Sequence, residues 1–343
     1  MANSIGDSIE KVTTRLDKII EQESTTSFLN MNQDLLGEYR GDGVIDIPEL
    51  TMDGLGDYDR KLGFPDGDVS LVFKPYRMKF DRGRQFDVDN VDDEERALII
   101  SSNLMAEFAR TKVIPEVDAI RYARLAENAG GRVAETLTSA DAAVDSVLTA
   151  EEFLQDHGKE LSGCTLCLSS KMKTLLRKAQ KYEGSWGQTP NTNFMTFDEM
   201  VLNTISADRF YTAIETLDGN TAGEEAGGYR KAVAKYAKTE DTEVVAGKDY
   251  YTLSGSTYTK VASPATSSIA SYYEKVSGDG YPINYIAIHP EAAAALQKHN
   301  TVRYFPPEVN QKKDAHLFQY RLYHDLLVMY QKRGLIYVSY SVA

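Results

Sequence analysis

Apolar residues recur along the chain in two rhythms, one of period two and one near 3.6, and the change falls at about residue 91. Val69, Leu71 and Phe73, then Tyr76, Met78 and Phe80, then Phe86 and Val88 alternate with polar neighbours. That alternation predicts strands. Asp81-Arg82-Gly83 predicts a turn between them, hence a long two-stranded hairpin over about 69–90. Pro75 fits only an edge or a bulge, which an isolated hairpin supplies. Two strands alone are marginal in water, so such an arm needs something to lie on.

Past residue 91 the helical period takes over. Asp92 and Asp93 can cap a helix, with Glu94 and Glu95 favouring the positive end of its dipole. Ala97, Ile100, Leu104 and Phe108 form a buried stripe, continued by Val113, Val117 and Ile120, up to the stop at Gly130-Gly131. At about 1.5 Å per residue, a helix over 92–129 spans about 55 Å. Pro115 is expected to kink it, because its ring displaces the carbonyl of Thr111 and one hydrogen bond is lost.

Elsewhere the pattern is shorter in range. Ile5, Ile9, Val12, Leu16 and Ile19 make one narrow stripe on a helix over 4–23. Residues 37–67 are rich in Gly and Asp and read as an extended, turn-rich connector. Over 137–300 two stretches share a strand-then-helix grammar: Cys164–Leu168 before KMKTLLRKAQ, and Asn284–Ile288 before His289-Pro290 and EAAAALQKH. The stretch 181–193 reads as a loop. Residues 241–276 are dominated by Tyr, Thr, Ser and Val, with Ser254-Gly255 as a turn, and predict a small β-rich insertion. From His316 to Ala343 the pattern is mostly strand, with a hairpin turn expected at Lys332-Arg333-Gly334.

Composition narrows the function. The 343 residues, 42% hydrophobic and 26% charged, suit a folded protein of two or three compact units. A net charge of -13 argues against a protein that grips nucleic acid, and is compatible with a wall that encloses DNA without adhering to it. No apolar run suits a signal peptide or a membrane span. Cys164 and Cys167, the two cysteines, offer no disulfide framework, which suits synthesis in a reducing cytosol.

Catalytic patterns are missing. Cys164-Thr-Leu-Cys167 has no second ligand pair at zinc spacing and interrupts a strand-like run, so buried structural cysteines are expected. The aspartates of 37–67 lack calcium-loop spacing. His324 and Asp325 are neighbours on a strand and point to opposite faces. No nucleophile elbow, phosphate-binding loop or zinc-protease helix occurs. No enzymatic activity, cofactor, metal or catalytic residue is expected.

The sequence resembles the major capsid proteins of tailed phages with the Hong Kong 97-type fold. The resemblance rests on GLGDYDRKLGFPDGDVSLVFKPYRMKFDRGRQFDVDNVDDEE (54–95), FARTKVIPEVDAIRYARLAENAG (108–130) and MTFDEMVLNTISADRFYT (195–212). It continues with INYIAIHPEAAAAL (283–296) and YRLYHDLLVMYQKRGLIY (320–337), all in the order the family shows. It implies an α+β fold with an N-terminal arm (1–55), an extended E-loop (56–91), and a peripheral domain (92–136 and 316–343) carrying a long spine helix. An axial domain (137–315) would carry the β-rich insertion (241–276). The family's cross-linking Lys–Asn chemistry matches no residue here. The arm begins almost at Met1, so any scaffolding is expected to be a separate protein.

The implied function is the structural subunit of an icosahedral or prolate head that self-assembles into hexamers and pentamers around double-stranded DNA. It would be made in the host bacterial cytoplasm and found in the virion. Portal, scaffolding and decoration proteins are the implied partners, and no membrane is. Lys74, Arg77, Lys79, Arg82 and Arg84 concentrate positive charge on the arm of an acidic chain and are the candidate subunit-interface residues. Pro115 is the candidate hinge, and 241–276 is expected to be dispensable for shell closure. Three competing readings are an encapsulin-type compartment, a hydrolase using His289 or His324, and a tail or decoration protein.

Overall fold

A computed structural model describes residues 23–30, 39–40, 43–58, 60, 64, 66–89, 99–183, 196–197, 199–245, 247–255, 257–310 and 312–342. The helix expected over 4–23, Glu23 excepted, lies outside the described residues, as do the caps expected at Asp92–Glu95 and most of the 181–193 loop.

From the N-terminus the strands are β1 (Tyr39–Arg40), β2 (Val44–Met52), β3 (Val69–Arg77) and β4 (Phe80–Asp89). Helices α1 (Ile99–Phe108) and α2 (Ile114–Asn128) follow, joined by a π-helical turn at Ala109–Val113. Then come β5 (Gly131–Ala134), α3 (Ala140–Asp156), β6 (Thr165–Ser169), α4 (Ser170–Glu183), β7 (Thr196–Phe197) and β8 (Met200–Ile205). Six short strands succeed them: β9 (Ile214–Leu217), β10 (Gly228–Lys231), β11 (Lys235–Lys238), β12 (Tyr251–Ser254), β13 (Thr257–Lys260) and β14 (Tyr273–Ser277). The chain ends with β15 (Ile283–Ile288), β16 (Ala293–Phe305), β17 (Ala315–Val328) and β18 (Ile336–Tyr340).

The chain divides into two compact units, residues 1–110 with 293–327, and residues 111–292 with 328–343. The first holds two three-stranded sheets, β1-β2-β3 and β16-β17-β4. In the second of these, Phe86, Phe108 of α1 and Tyr320 meet edge to face, with ring centroids 4.9 and 5.8 Å apart, which seats the helix on the sheet.

The other unit is built on a mixed six-stranded sheet, β5-β18-β15-β6-β8-β7. Helices α3 and α4 bring Val147, Leu154, Met172 and Leu176 against Leu166, Leu168 and Tyr285 of the sheet. β15 is buried at every position, so its run Ile283–Ile288 is apolar apart from Asn284 and shows no alternation. Ser139 caps α3, its hydroxyl accepting the Ala142 N–H at 3.2 Å. A separate four-stranded antiparallel sheet, β11-β14-β12-β13, has a small core of its own made by Tyr250, Ile269 and Tyr272. The β-rich segment therefore begins at Lys235, six residues before the expected start, and β12 turns back into β13 just after Ser254-Gly255 as expected.

Several expectations need correction. The hairpin expected across Asp81–Gly83 does not form. β3 pairs instead with β2, from Val44↔Arg77 to Met52↔Val69, and β4 pairs along its whole length with β17. Alternation marks a strand but carries no information on its partner, and the real partner VIDIPELTM lay inside what read as a connector. Gly83 sits in mid-strand opposite Arg321. Pro75 does lie on an edge strand, opposite Asp46.

The Ala-rich stretch expected as a helix after His289 is one turn of 3-10 helix followed by β16. Ala293–Leu296 are buried, and pairing with β17 overrides their helix propensity. β17 and β18 do not form a hairpin either. A 3-10 segment, Tyr330–Leu335, separates them and they join different sheets. In the division into compact units, 293–315 go with β4 and β17, and 328–343 go with the six-stranded sheet.

Candidate assembly surface

The β2–β3 hairpin has two unlike faces. Directly opposed residues share a face, so Pro48, Leu50 and Met52 lie on one side with Phe73, Leu71 and Val69. That side is open: Leu50, Leu71 and Phe73 are about half exposed, and Met52 and Val69 more so. At the hairpin's base the opposite face is closed. Ile45 is fully buried with Met78, Leu296 and Leu327, and Ile47, Tyr76 and Tyr323 pack around them.

Polar contacts fix that base. The Tyr76 hydroxyl donates to the Leu326 carbonyl and the Tyr323 hydroxyl to the Met78 carbonyl, each at 3.2 Å. The buried Asp325 carboxylate accepts the backbone N–H of Lys79 at 3.0 Å and of Leu326 at 2.8 Å. Asp325 is thus a positioning residue at the hairpin's exit, a role its sequence neighbour His324 concealed. Gly43, at φ +74°, turns into β2 where any side chain would collide with the Tyr323 hydroxyl.

The tip is both acidic and apolar. The Asp68 N–H donates to the Asp53 carboxylate at 2.8 Å, and the Asp53 N–H to the Asp68 carbonyl at 3.1 Å, so the strands are tied where they part. Beyond that tie Asp57 and Asp66 are exposed, with Leu55, Tyr58 and Phe64 also open to solvent.

Positive charge gathers beside the base. Two adjoining open hollows of about 510 and 530 Å³ share Asp81, His299 and Arg321. Arg84 and Arg303 line one, and Arg77, Lys79 and Lys298 the other. Arg321 grips Asp81 through two hydrogen bonds of 2.9 and 2.5 Å. Those bonds hold the Asp81 carboxyl below the usual carboxylate range and raise the Arg321 guanidinium.

The five cations expected on an arm therefore scatter. Lys74 lies in mid-strand within the hairpin, Arg77 closes β3 at the hairpin's base, Lys79 is in the link to β4, and Arg82 and Arg84 are on β4 within a different sheet. Pro115 occupies the first turn of α2, directly after the π-helical turn. Widening that turn accommodates a ring that crowds the preceding carbonyl and a residue with no N–H to give. The boundary between the two compact units falls within the same turn, between Arg110 and Thr111.

Among the described residues no group of three or more His, Cys, Asp or Glu could hold a metal ion, and no helix is long and apolar enough to cross a membrane. Cys164 and Cys167 are buried free thiols, and burial pushes Cys167 up to about 12. Tyr122 packs edge to face with Phe210, while the fully buried Asp118 is met by Arg209 at 3.2 Å. Sequence gave no sign of that buried charge, because Asp118 occupies a helix whose buried surface extends around most of its girth.

Comparison with solved structures gives the fold its class. The capsid structure of cyanophage P-SCSP1u matches with a TM-score of 0.51 at 8% identity, over 89% of this chain and 85% of that one. A chain of Gordonia phage Cozz matches with 0.51 at 13%, over 95% and 86%. The mature capsid of bacteriophage PhiM1 matches with 0.51 at 8%, over 89% and 87%. No protein-family model and no curated protein matches the sequence. The chain has the fold of the phage capsid proteins, the α+β Hong Kong 97-type fold that the sequence resembles.

Proposed function

We propose that the chain is a phage major capsid protein: a structural, non-catalytic subunit that assembles with itself into the hexamers and pentamers of an icosahedral or prolate head. The observation that carries this reading is a capsid fold sustained over about nine-tenths of the chain. In this reading the 44–77 hairpin is the E-loop, α1 and α2 form the spine, and the unit around β6 and β15 is the axial domain. The exposed face of Leu50, Leu71 and Phe73 lies on a neighbouring subunit, which removes from water a stripe that a monomer leaves open. The net charge of -13 suits an enclosure for double-stranded DNA that does not bind its contents. Portal, scaffolding and decoration proteins would complete the particle, which would be made in a bacterial cytoplasm. The sheet around Tyr250 is an elaboration of the axial domain.

The test is expression of the chain alone, followed by electron microscopy. Shells, hexamers or tubes are expected; a monomer at every concentration, or catalytic turnover, overturns the reading. Pro115 and the π-helical turn before it are the proposed site of bending when the shell matures. Pro115→Ala restores an N–H and should stiffen the helix, giving particles that close and fail to expand. Normal expansion removes the hinge role.

A further inference from the structure

The four-stranded sheet β11-β14-β12-β13 carries unlike chemistry on its two faces. Cross-strand partners share a face. The register pairs Tyr236 with Lys275 and Lys238 with Tyr273, and sets Tyr273 against Tyr251. It also pairs Tyr251 with Lys260 and Leu253 with Tyr258. One face therefore holds four tyrosines, a leucine and three lysines. The other holds small and hydroxylated residues with Glu274, the one carboxylate of the four strands, which pairs with Lys248. On a chain of net charge -13, the tyrosine face has three ammonium groups and no carboxylate from its own strands.

The rings of that face pack largely on one another. Tyr236 and Tyr258, from the two edge strands, stack at 4.1 Å with their planes 13° apart. Tyr251 stands edge-on to Tyr236 at 4.9 Å, and Tyr273 to Tyr258 at 5.2 Å. The hydroxyls are left over. Among the described residues none of the four phenol oxygens has a hydrogen-bond partner, and none is buried. Lys238 is exposed. Lys260 and Lys275 rest against Asp249 at 2.7 Å and Asp279 at 3.3 Å, in pairs open to water that hold weakly.

We infer that this face binds an acidic polysaccharide, a polymer of sugar rings of which some carry a carboxylate. The inference goes beyond shell building and stands whether or not the chain forms shells. Phenol hydroxyls and ammonium groups side by side suit a ligand dense in hydroxyl and ether oxygens. The rings and Leu253, 41% exposed, suit the C–H faces of a sugar, because an aromatic face is negative and a C–H bond slightly positive. Lys238 and Lys260 lie on opposite edge strands, so positive charge flanks the aromatic strip on both sides and matches carboxylates spaced along a polymer. Single-stranded nucleic acid fits less well. Its bases need open ring faces to lie on, and Tyr236 and Tyr258 already cover one face of each other. A second copy of the face would set lysine against lysine.

The test offers the full chain to polygalacturonate immobilised on a biosensor, beside dextran, poly(dT) and polyglutamate. Retention on polygalacturonate is expected, about tenfold or more stronger than on the other three. Lys238→Gln with Lys260→Gln should weaken it about tenfold and flatten its dependence on salt. Tyr236→Phe with Tyr258→Phe keeps the ring stack, removes two hydroxyls and should weaken it about fivefold. Hydrogen exchange over 235–277 shows that each variant keeps the sheet. If the tyrosine pair loses the sheet, the lysine pair decides. A chain lacking 233–279 should no longer be retained.

No retention on polygalacturonate, retention that survives the deletion, or folded variants that bind unchanged overturn the inference. Equal retention on polyglutamate overturns it too, since charge alone would then suffice, as does equal retention on dextran, since the lysines would then play no part. Equal or stronger retention on poly(dT) overturns it in favour of single-stranded nucleic acid.

Discussion

The β2–β3 hairpin and the four-stranded sheet around Tyr250 are both small antiparallel structures, and they solve the same problem in opposite ways. The sheet closes on itself. Tyr250 is fully buried with Ile269 and Tyr272, its hydroxyl donates to Asp241 at 2.7 Å and accepts the Val245 N–H at 3.1 Å, and Lys248 pairs with Asp241 and Glu274. On its open side Tyr236 stacks on Tyr258 at 4.1 Å, with Tyr251 and Tyr273 edge-on around them. The hairpin has a core only at its base, around Ile45. Outward from there it leaves five large apolar residues of one face in water. The sheet is finished as a monomer, whereas the hairpin, in the proposed reading, is finished by another subunit.

That difference can be broken first at the open face. Leu50→Ser, Leu71→Ser and Phe73→Ser together should abolish shells while the monomer's melting temperature stays within a few degrees, because the lost contacts are intermolecular. Electron microscopy and a thermal melt on one sample decide it, and a large fall in melting temperature would mean that the face is covered within the chain.

The base should behave in the contrary way. Ile45→Ala empties a fully buried site and should cost about 2–5 kcal/mol in urea unfolding. A cost near zero would mean that the base is not the anchor.

In the sheet, Tyr250→Phe keeps the packing and removes both hydroxyl bonds, one of them to a carboxylate. A loss of about 1–3 kcal/mol, read as faster hydrogen exchange over 241–273 alone, is expected. Exchange spreading to other strands would mean that the sheet does not fold by itself.

The smallest effect belongs to deletion. Removing β11 to β14 with their connections, residues 233–279, across a short Gly-Ser linker should leave particles that still close. Deletion of 241–276 alone is the poorer test, because it strips β14 from β11 and leaves that strand unpaired. Failure of both variants to assemble would make the sheet part of the shell.

How much of this was legible beforehand differs by element. The helical run through Val113, Val117 and Ile120 and the strand through Cys167 were readable because their cues are local: spacing, caps and apolar runs. Both cysteines proved buried for the reason the sequence offered, a strand-like run with no second ligand pair. The assembly surface was legible only in part. Lys74, Arg77, Lys79, Arg82 and Arg84 are close in sequence, yet a change of partner strand after Arg77 distributes them over two sheets. The hollows depend on Lys298, Arg303 and Arg321, more than 200 residues away in the chain, and no periodicity links them to Asp81.

The sequence by itself determined the α+β character, the helical run through Val113, Val117 and Ile120, the β-rich segment with its turn after Ser254, and the lack of a catalytic motif. Each follows from backbone preference or side-chain spacing within a few residues. Only the tertiary structure decided which strands pair, that Ala293–Leu296 extend instead of coiling, and that the hairpin has an acidic end and a basic end. Those outcomes turn on which distant chain arrives alongside, since hydrogen bonds between strands and burial of apolar area outweigh local propensities of less than about 1 kcal/mol per residue.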